Sequence, residues 1–160
     1  MAIKIGSSPC SWGVEMEEDS DVIPWNCFLD EVSEAGYEWI ELGPYGYLPK
    51  DGNELESELD NRNLRESGTF IMDNFYDPLQ WPRVERKFFS TCEILSKLGA
   101  PFLIIIPNLY TDPKTNQLLQ TTQLNKTQWK QFLKTIHHMG KIAKETFSLQ
   151  TVFHPHAGTW

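Results

Sequence analysis

The stretch FHPHAGTW at positions 153–160 carries two of the chain's four histidines, His154 and His156, one position apart behind an apolar run. In an extended segment, residues two apart face the same side, so both imidazoles can point into one pocket. Pro155 stiffens the link between them and cannot donate a ladder hydrogen bond, which suits the end of a strand. Imidazole moves protons near neutral pH and also suits Mn, Fe, Co, Ni or Zn. A catalytic metal generally takes three protein ligands, and no HExxH or Cys/His cluster supplies the others.

A second candidate is Glu41, set between Ile40 and Leu42, as Lys4 is set between Ile3 and Ile5. If their two strands are neighbours, a Lys4–Glu41 ion pair would satisfy both charges. The alternative is a catalytic carboxylate, and the sequence leaves both readings open. His137 and His138 fall late in a helical stretch and suit its C-terminal carbonyls or water, so no catalytic part is assigned to them.

These residues need a scaffold. IKIG (3–6) reads as a first strand, broken by SSPCSWG. From Pro24, the residues Trp25, Phe28, Leu29, Val32 and Ala35 follow helical spacing up to Gly36. WIEL is a second strand, and a short helix with Leu55 and Leu59 on one face follows, capped by Asp51 or Asn53. A third strand falls within SGTFIM. Val84, Phe88, Cys92 or Thr91, Leu95 and Leu98 mark a helix ending at Gly99, and FLIII is a strand covered on both faces. Residues 107–124 are polar and aperiodic, a lid or a disordered loop. Asn125 and Gln128 are spaced as a capping box for a last helix whose inner face is Trp129, Phe132, Leu133, Ile136, Gly140 and Ala143. A final strand, LQTVF, leads into the histidine pair.

Strands alternating with helices imply a parallel α/β sheet with right-handed crossovers. A doubly wound open sheet and a (β/α)8 barrel compete. No GxGxxG or Walker pattern marks the first, and a chain of 160 residues has room for only five strands of the second. In both, functional groups gather at the carboxyl ends of strands. By that rule the candidates are Ser8, Cys10, Ser11 and Trp12; Glu41, Tyr45 and Tyr47; Asp73 and Asn74; Asn108 and Tyr110; and His154 and His156. Such hydroxyls, amides, carboxylates and aromatic faces suit a sugar or polyol. Trp12, Tyr45 and Tyr47 have the competing reading of packing residues at the rim.

Composition narrows the partners. The chain is 40% hydrophobic and 22% charged, an ordinary globular balance. A net charge of -8 argues against nucleic acid and against an anionic membrane surface. No apolar stretch approaches a membrane span or a signal-peptide core. Cys10, Cys27 and Cys92 are odd in number and widely spaced, and read as reduced thiols of a cytoplasmic protein.

CSWGV after the first strand, AGYEWIELGPYGYLP around the second, LGAPFLIII at the fourth and VFHPHAGT at the fifth come in the order seen in one family. The chain resembles the sugar phosphate isomerase/epimerase family of xylose isomerase-like TIM barrels, close to its inosose dehydratase-like branch. The resemblance implies that residues 1–160 are the N-terminal portion of a (β/α)8 barrel. It implies a divalent metal (Mn, Co or Mg) at the carboxyl-end mouth, with ligands from the fifth to eighth strands. His154 stands at the first-ligand position, where the family commonly has Glu, so it would bind metal or substrate. The implied chemistry is proton transfer next to a carbonyl: isomerisation, epimerisation or loss of water from a keto-inositol. The expected site is therefore His154, His156 and Glu41 as catalytic groups, with Trp12, Tyr45, Tyr47, Asp73 and Asn108 binding a small sugar or polyol. The first expectation is an incomplete enzyme, inactive by itself. A reading of another class is a non-catalytic half-barrel that self-assembles through its unclosed edges, and in a third two chains share one site.

Overall fold

The computed structural model describes residues 3–16 and 21–160. Five strands lie side by side in chain order, all parallel: β1 (Gly6–Ser7), β2 (Trp39–Glu41), β3 (Arg65–Asp73), β4 (Phe102–Pro107) and β5 (Gln150–Phe153). They alternate with α1 (Trp25–Glu34), α2 (Gly52–Asp60), α3 (Trp81–Leu98) and α4 (Lys126–Phe147). A doubly wound sheet reverses direction at a switch point, whereas a barrel adds each new strand beside the last. The order β1-β2-β3-β4-β5 is the barrel type.

Local signals account for the helix boundaries. The Asp51 side chain accepts from the backbone N–H groups of Asn53 and Glu54, so Asp51 and not Asn53 caps α2. Asn125 and Gln128 form the capping box of α4. Gly99 ends α3 in the left-handed conformation with φ of 73°. On the helix side of the sheet, Ile71, Leu103 and Ile105 are buried against Phe88, Cys92, Leu95 and Met139. Each such aliphatic or aromatic side chain contributes about 1.5–3 kcal/mol on leaving water.

Several expectations are corrected. β1 is two residues long instead of spanning IKIG, and Ile3 and Ile5 are exposed because the described residues place no strand on their free edge. β3, expected within SGTFIM, runs nine residues, since its central place lets it pair with both β2 and β4. The strand β4 is buried on its helix side at Leu103 and Ile105, but Phe102 on its other face is exposed. The inner face of α4 is Phe132, Thr135, Met139 and Ala143, while Trp129 and Leu133 lie outside it. Residues 107–124 are ordered by their own hydrogen bonds. Asp112 accepts from the N–H groups of Lys114 and Thr115, and the Gln120 amide donates to the carbonyls of Asn108 and Leu109. Lys4 makes no ion pair with Glu41; its ammonium sits 4.1 Å from the centroid of the Trp39 ring.

Candidate active site

On the sheet face turned away from the helices, the alternation of strand side chains brings Phe70 and Met72 of β3 beside Ile104 and Ile106 of β4. These four form the apolar floor of an open cavity of about 350 Å3. Its walls come from strand ends: Glu41 from β2, Ser8, Cys10, Glu15 and Met16 from the segment after β1, and His154 and His156 after β5. Glu41 and Ser8 also line a neighbouring hollow of about 640 Å3 along the same face, with Ser7, Ser11, Ser67 and Trp39. The two hollows make one strip, graded from serine hydroxyls to imidazoles.

The histidines are positioned by the strand that precedes them. The His154 N–H donates to the Ile105 carbonyl at 3.0 Å, continuing the β4–β5 ladder by one residue. The ring centroids of His154 and His156 lie 5.5 Å apart. Nδ1 of His156 is 2.7 Å from the Ala157 carbonyl oxygen. A carbonyl only accepts, so Nδ1 carries the proton and Nε2 of the neutral ring is left free to take one. The residues beyond are anchored as well. Gly158 accepts from the Tyr110 N–H at 2.8 Å, the Trp160 indole donates to the Thr121 carbonyl at 3.1 Å, and its ring packs edge-on against Tyr76.

Electrostatics separates the titratable groups of the cavity. Burial pushes the Glu41 carboxyl above its usual range, and it has no hydrogen bond or ion pair to a described residue. A carboxylic acid moved toward neutrality is suited to giving and taking a proton. Burial also pushes the Cys10 thiol up, and the nearby Glu41 and Glu15 charges add to this against a hydrogen bond with Ser8. Cys10 therefore stays protonated and is no nucleophile at neutral pH.

Of the expected residues, the structure brings together His154, His156 and Glu41, and leaves the proposed binding residues outside this cavity. Trp12 points to α1, where its indole donates to Glu31 at 2.7 Å and its ring packs edge-on against Phe28. The Tyr47 hydroxyl donates to the Ile23 carbonyl, and burial pushes its pKa up to about 12, so it too is a packing residue. Tyr45 lies under the Lys50 ammonium, beside a separate crevice between the β2 end and α2. Asp73 is 1% exposed on the helix side of β3 and holds Arg83 through both carboxylate oxygens, at 2.8 and 2.5 Å. Asn108 is held through its backbone, its N–H donating to the Asp73 carbonyl and its own carbonyl accepting from Gln120. The strand-end rule gives the level of a residue along the sheet and not its face. Missed were Phe70, Met72, Ile104 and Ile106, whose period-two spacing was the available signal.

A metal finds no complete cage here. Among the described residues no three His, Cys, Asp or Glu side chains converge on a common point. The two imidazoles and a carboxyl with raised pKa fit a proton-transfer set better than a ligand set. Among the described residues, no helix is long and apolar enough to cross a membrane. Cys10, Cys27 and Cys92 are all free thiols.

Comparison with known proteins fits this architecture. No family model matches the chain. It is similar to the inosose dehydratase of Clostridium beijerinckii, 25% identical over 163 residues, covering 98% of this chain and 53% of that protein. It is also similar to the inosose dehydratase of Mesomycoplasma hyopneumoniae, 27% identical over 168 residues, covering 98% of the chain and 52% of the relative. The chain thus spans about half the length of the curated relatives it matches. Among solved structures, D-psicose 3-epimerase of Clostridium cellulolyticum H10 with D-tagatose superposes with a TM-score of 0.68 at 16% identity, covering 93% of this chain and 51% of that one. The IOLI protein with a binding zinc atom gives 0.69 at 14% identity, covering 98% and 54%. A xylose isomerase-like TIM barrel protein from Mycobacterium smegmatis in complex with magnesium gives 0.67 at 14%, covering 94% and 54%. The fold of this chain is that of about half a xylose isomerase-like TIM barrel, and its sequence resembles inosose dehydratases.

Proposed function

We propose that this chain is the N-terminal portion of a barrel that handles a keto-sugar or keto-polyol, with reaction at the carboxyl-end mouth. The observation that carries the reading is the cavity shared by His154, His156 and Glu41 on the sheet face opposite the helices. The similarity to inosose dehydratases supports a keto-inositol as substrate, and the epimerase neighbours support a ketohexose as the alternative.

Both substrates share a first step. A base takes the proton from the carbon next to the carbonyl, and the electron pair moves onto the carbonyl oxygen to give an enediolate, which takes a proton to become the enediol. Nε2 of His156 is the free acceptor for that proton. The His154 ring, its centroid 5.5 Å from that of His156, can donate to the developing oxygen. The Glu41 carboxyl, protonated more readily than an exposed one, returns a proton or donates to a hydroxyl across the floor. Return of the proton to the other face of the carbon gives an epimer. Departure of the neighbouring hydroxyl as water, with a proton from Glu41 or an imidazole, gives the dehydrated product. The apolar floor lies beneath the reacting carbon while the serines hold remote hydroxyls. Any divalent metal would need donors beyond the described residues, and no step is assigned to it. The open edges at β1 and β5 are covered in the working protein, by further strands or by another copy.

Exchange of the proton next to the carbonyl asks for only the first step. In deuterated buffer, an inosose or D-tagatose should exchange that proton faster with the protein than with free imidazole at equal concentration. The gain should disappear in His156→Ala and His154→Ala. Exchange no faster than with free imidazole would sink the reading.

A further inference from the structure

Gln120 is half-buried in the loop between β4 and α4 and lies outside the cavity of the mouth. Its carboxamide nitrogen donates to the Leu109 carbonyl at 2.8 Å and to the Asn108 carbonyl at 3.3 Å. Its backbone N–H lies 3.4 Å from the Tyr110 carbonyl oxygen, which also accepts from Leu119 at 2.9 Å. Three consecutive carbonyls beyond the end of β4 therefore find a donor in this one residue. On the other side, the carboxamide oxygen accepts from the Tyr76 hydroxyl at 3.3 Å and the Asn74 amide at 3.4 Å, both in the loop between β3 and α3.

The segment held in this way carries the histidine turn. Tyr110 donates its N–H to the Gly158 carbonyl at 2.8 Å. The Leu109 side chain reaches Gly158 too, since a Cβ there would lie 3.5 Å from Cδ2 of Leu109. Gly158, with φ of 84°, is the third residue of a turn that starts at His156. The turn closes where the Thr159 N–H donates to the His156 carbonyl at 3.1 Å, and the Thr159 hydroxyl donates to the same oxygen at 2.7 Å. His154 is tied directly to β4 through the Ile105 carbonyl. His156 lies beyond the strand, so its place depends on this turn.

We propose that Gln120 is a positioning residue for His156: by clamping Asn108, Leu109 and Tyr110 it holds the turn that fixes the imidazole. The inference rests on the reading of His156 as the proton acceptor and deepens it, naming what keeps that acceptor in place. A carboxamide suits the task, because it offers two N–H donors and a carbonyl acceptor on one uncharged planar group. The donors serve the β4 segment and the oxygen serves the β3 segment. A glutamate of the same length keeps the acceptor and loses both donors. With the clamp released, the turn frays and Nδ1 of His156 is no longer held at the Ala157 carbonyl. The ring then samples its other tautomer, in which Nε2 carries the proton and cannot accept one.

Gln120→Glu in the 160-residue chain tests this, with Gln117→Ala as the control because the Gln117 side chain is exposed in the same loop. In Gln120→Glu, amide hydrogen exchange at Tyr110 should speed up at least about tenfold, while the amides of β3 and β4 keep their protection. At about pH 8, where imidazole is neutral, the two ring-nitrogen signals of His156 should move toward each other as the second tautomer enters. Those of His154 should stay in place. Proton exchange of an inosose or D-tagatose should fall at least about tenfold, with ligand affinity changed by less than about twofold. A lower melting temperature with the His156 signals unmoved would show a role in stability alone and overturn the proposal. Unchanged Tyr110 protection in a folded Gln120→Glu, or the same changes in Gln117→Ala, would overturn it as well. A parent chain that exchanges no substrate proton, while Tyr110 and His156 respond as described, rejects the reading of the mouth and supports the positioning of His156.

Discussion

Asp73 and Arg83 form a two-point ion pair at 2.8 and 2.5 Å that ties the end of β3 to the first turn of α3. The carboxylate is 1% exposed and the guanidinium 53% exposed, so one side is anchored in the core and the other open to water. This pair fixes Asp73 as a structural residue even though it stands at a strand end, the level where barrel enzymes keep their reactive groups.

Removing the guanidinium leaves a buried carboxylate with the Asn74 N–H as its remaining partner. Arg83→Ala should destabilise the fold by about 2–3 kcal/mol in urea unfolding, below the range for a fully buried pair because Arg83 is half open to solvent. Ligand affinity at the mouth should be unchanged. A tenfold loss of affinity at unchanged stability would return Asp73 and Arg83 to the binding site.

Trp12 and Tyr47 make the same kind of test beside α1. Trp12→Phe loses the bond to Glu31, and Tyr47→Phe the bond to the Ile23 carbonyl. Each should cost roughly 1 kcal/mol of stability and leave sugar binding as it was. Calorimetric titration with the ketose, run beside thermal unfolding, separates the two effects.

Gly68 sits opposite Glu41 where the β2–β3 register shifts. A Cβ there would press into the Phe102 carbonyl oxygen of β4, and the backbone φ of +156° also disfavours a side chain. Gly68→Ala should lower stability by roughly 2–3 kcal/mol, because the obstacle is strand backbone that cannot rotate away. It should also displace Glu41. An alanine variant as stable as the parent would show that this close approach does not exist.

Burial holds the Glu41 carboxyl above its usual range, so the folded chain binds this proton more tightly than the unfolded one. The group is then neutral to stability at low pH and unfavourable once pH rises through and above the ordinary carboxylate range. Glu41→Gln should therefore raise the melting temperature near about pH 7 and leave it unchanged near about pH 3.5. A fall at neutral pH would reveal a favourable partner for the carboxylate.

Much of this was legible in the sequence. The capping box at Asn125, the left-handed Gly99 and the apolar run at Phe102–Ile106 are local signals, and local chemistry decided those boundaries. The spacing of the histidine pair set His154 one residue past β5, on the side that alternation gives it, whereas His156 lies beyond the strand. What failed needed tertiary information. Asp73 and Trp12 stand at the right level but on the helix side, and only packing against α3 and α1 determines that. Leu133 obeys the helical period of a core residue yet faces solvent, because the described residues place nothing over its flank of α4.

The most direct measurement uses the four histidines as their own controls. His154 and His156 line the mouth, whereas His137 and His138 sit on the outer surface of α4. With imidazole nitrogens labelled, titration of an inosose or ketohexose should shift the resonances of His154 and His156 and leave those of His137 and His138 in place. Shifts confined to His137 and His138, or no shift at any histidine at saturating ligand, would contradict the assignment of the mouth as the binding site.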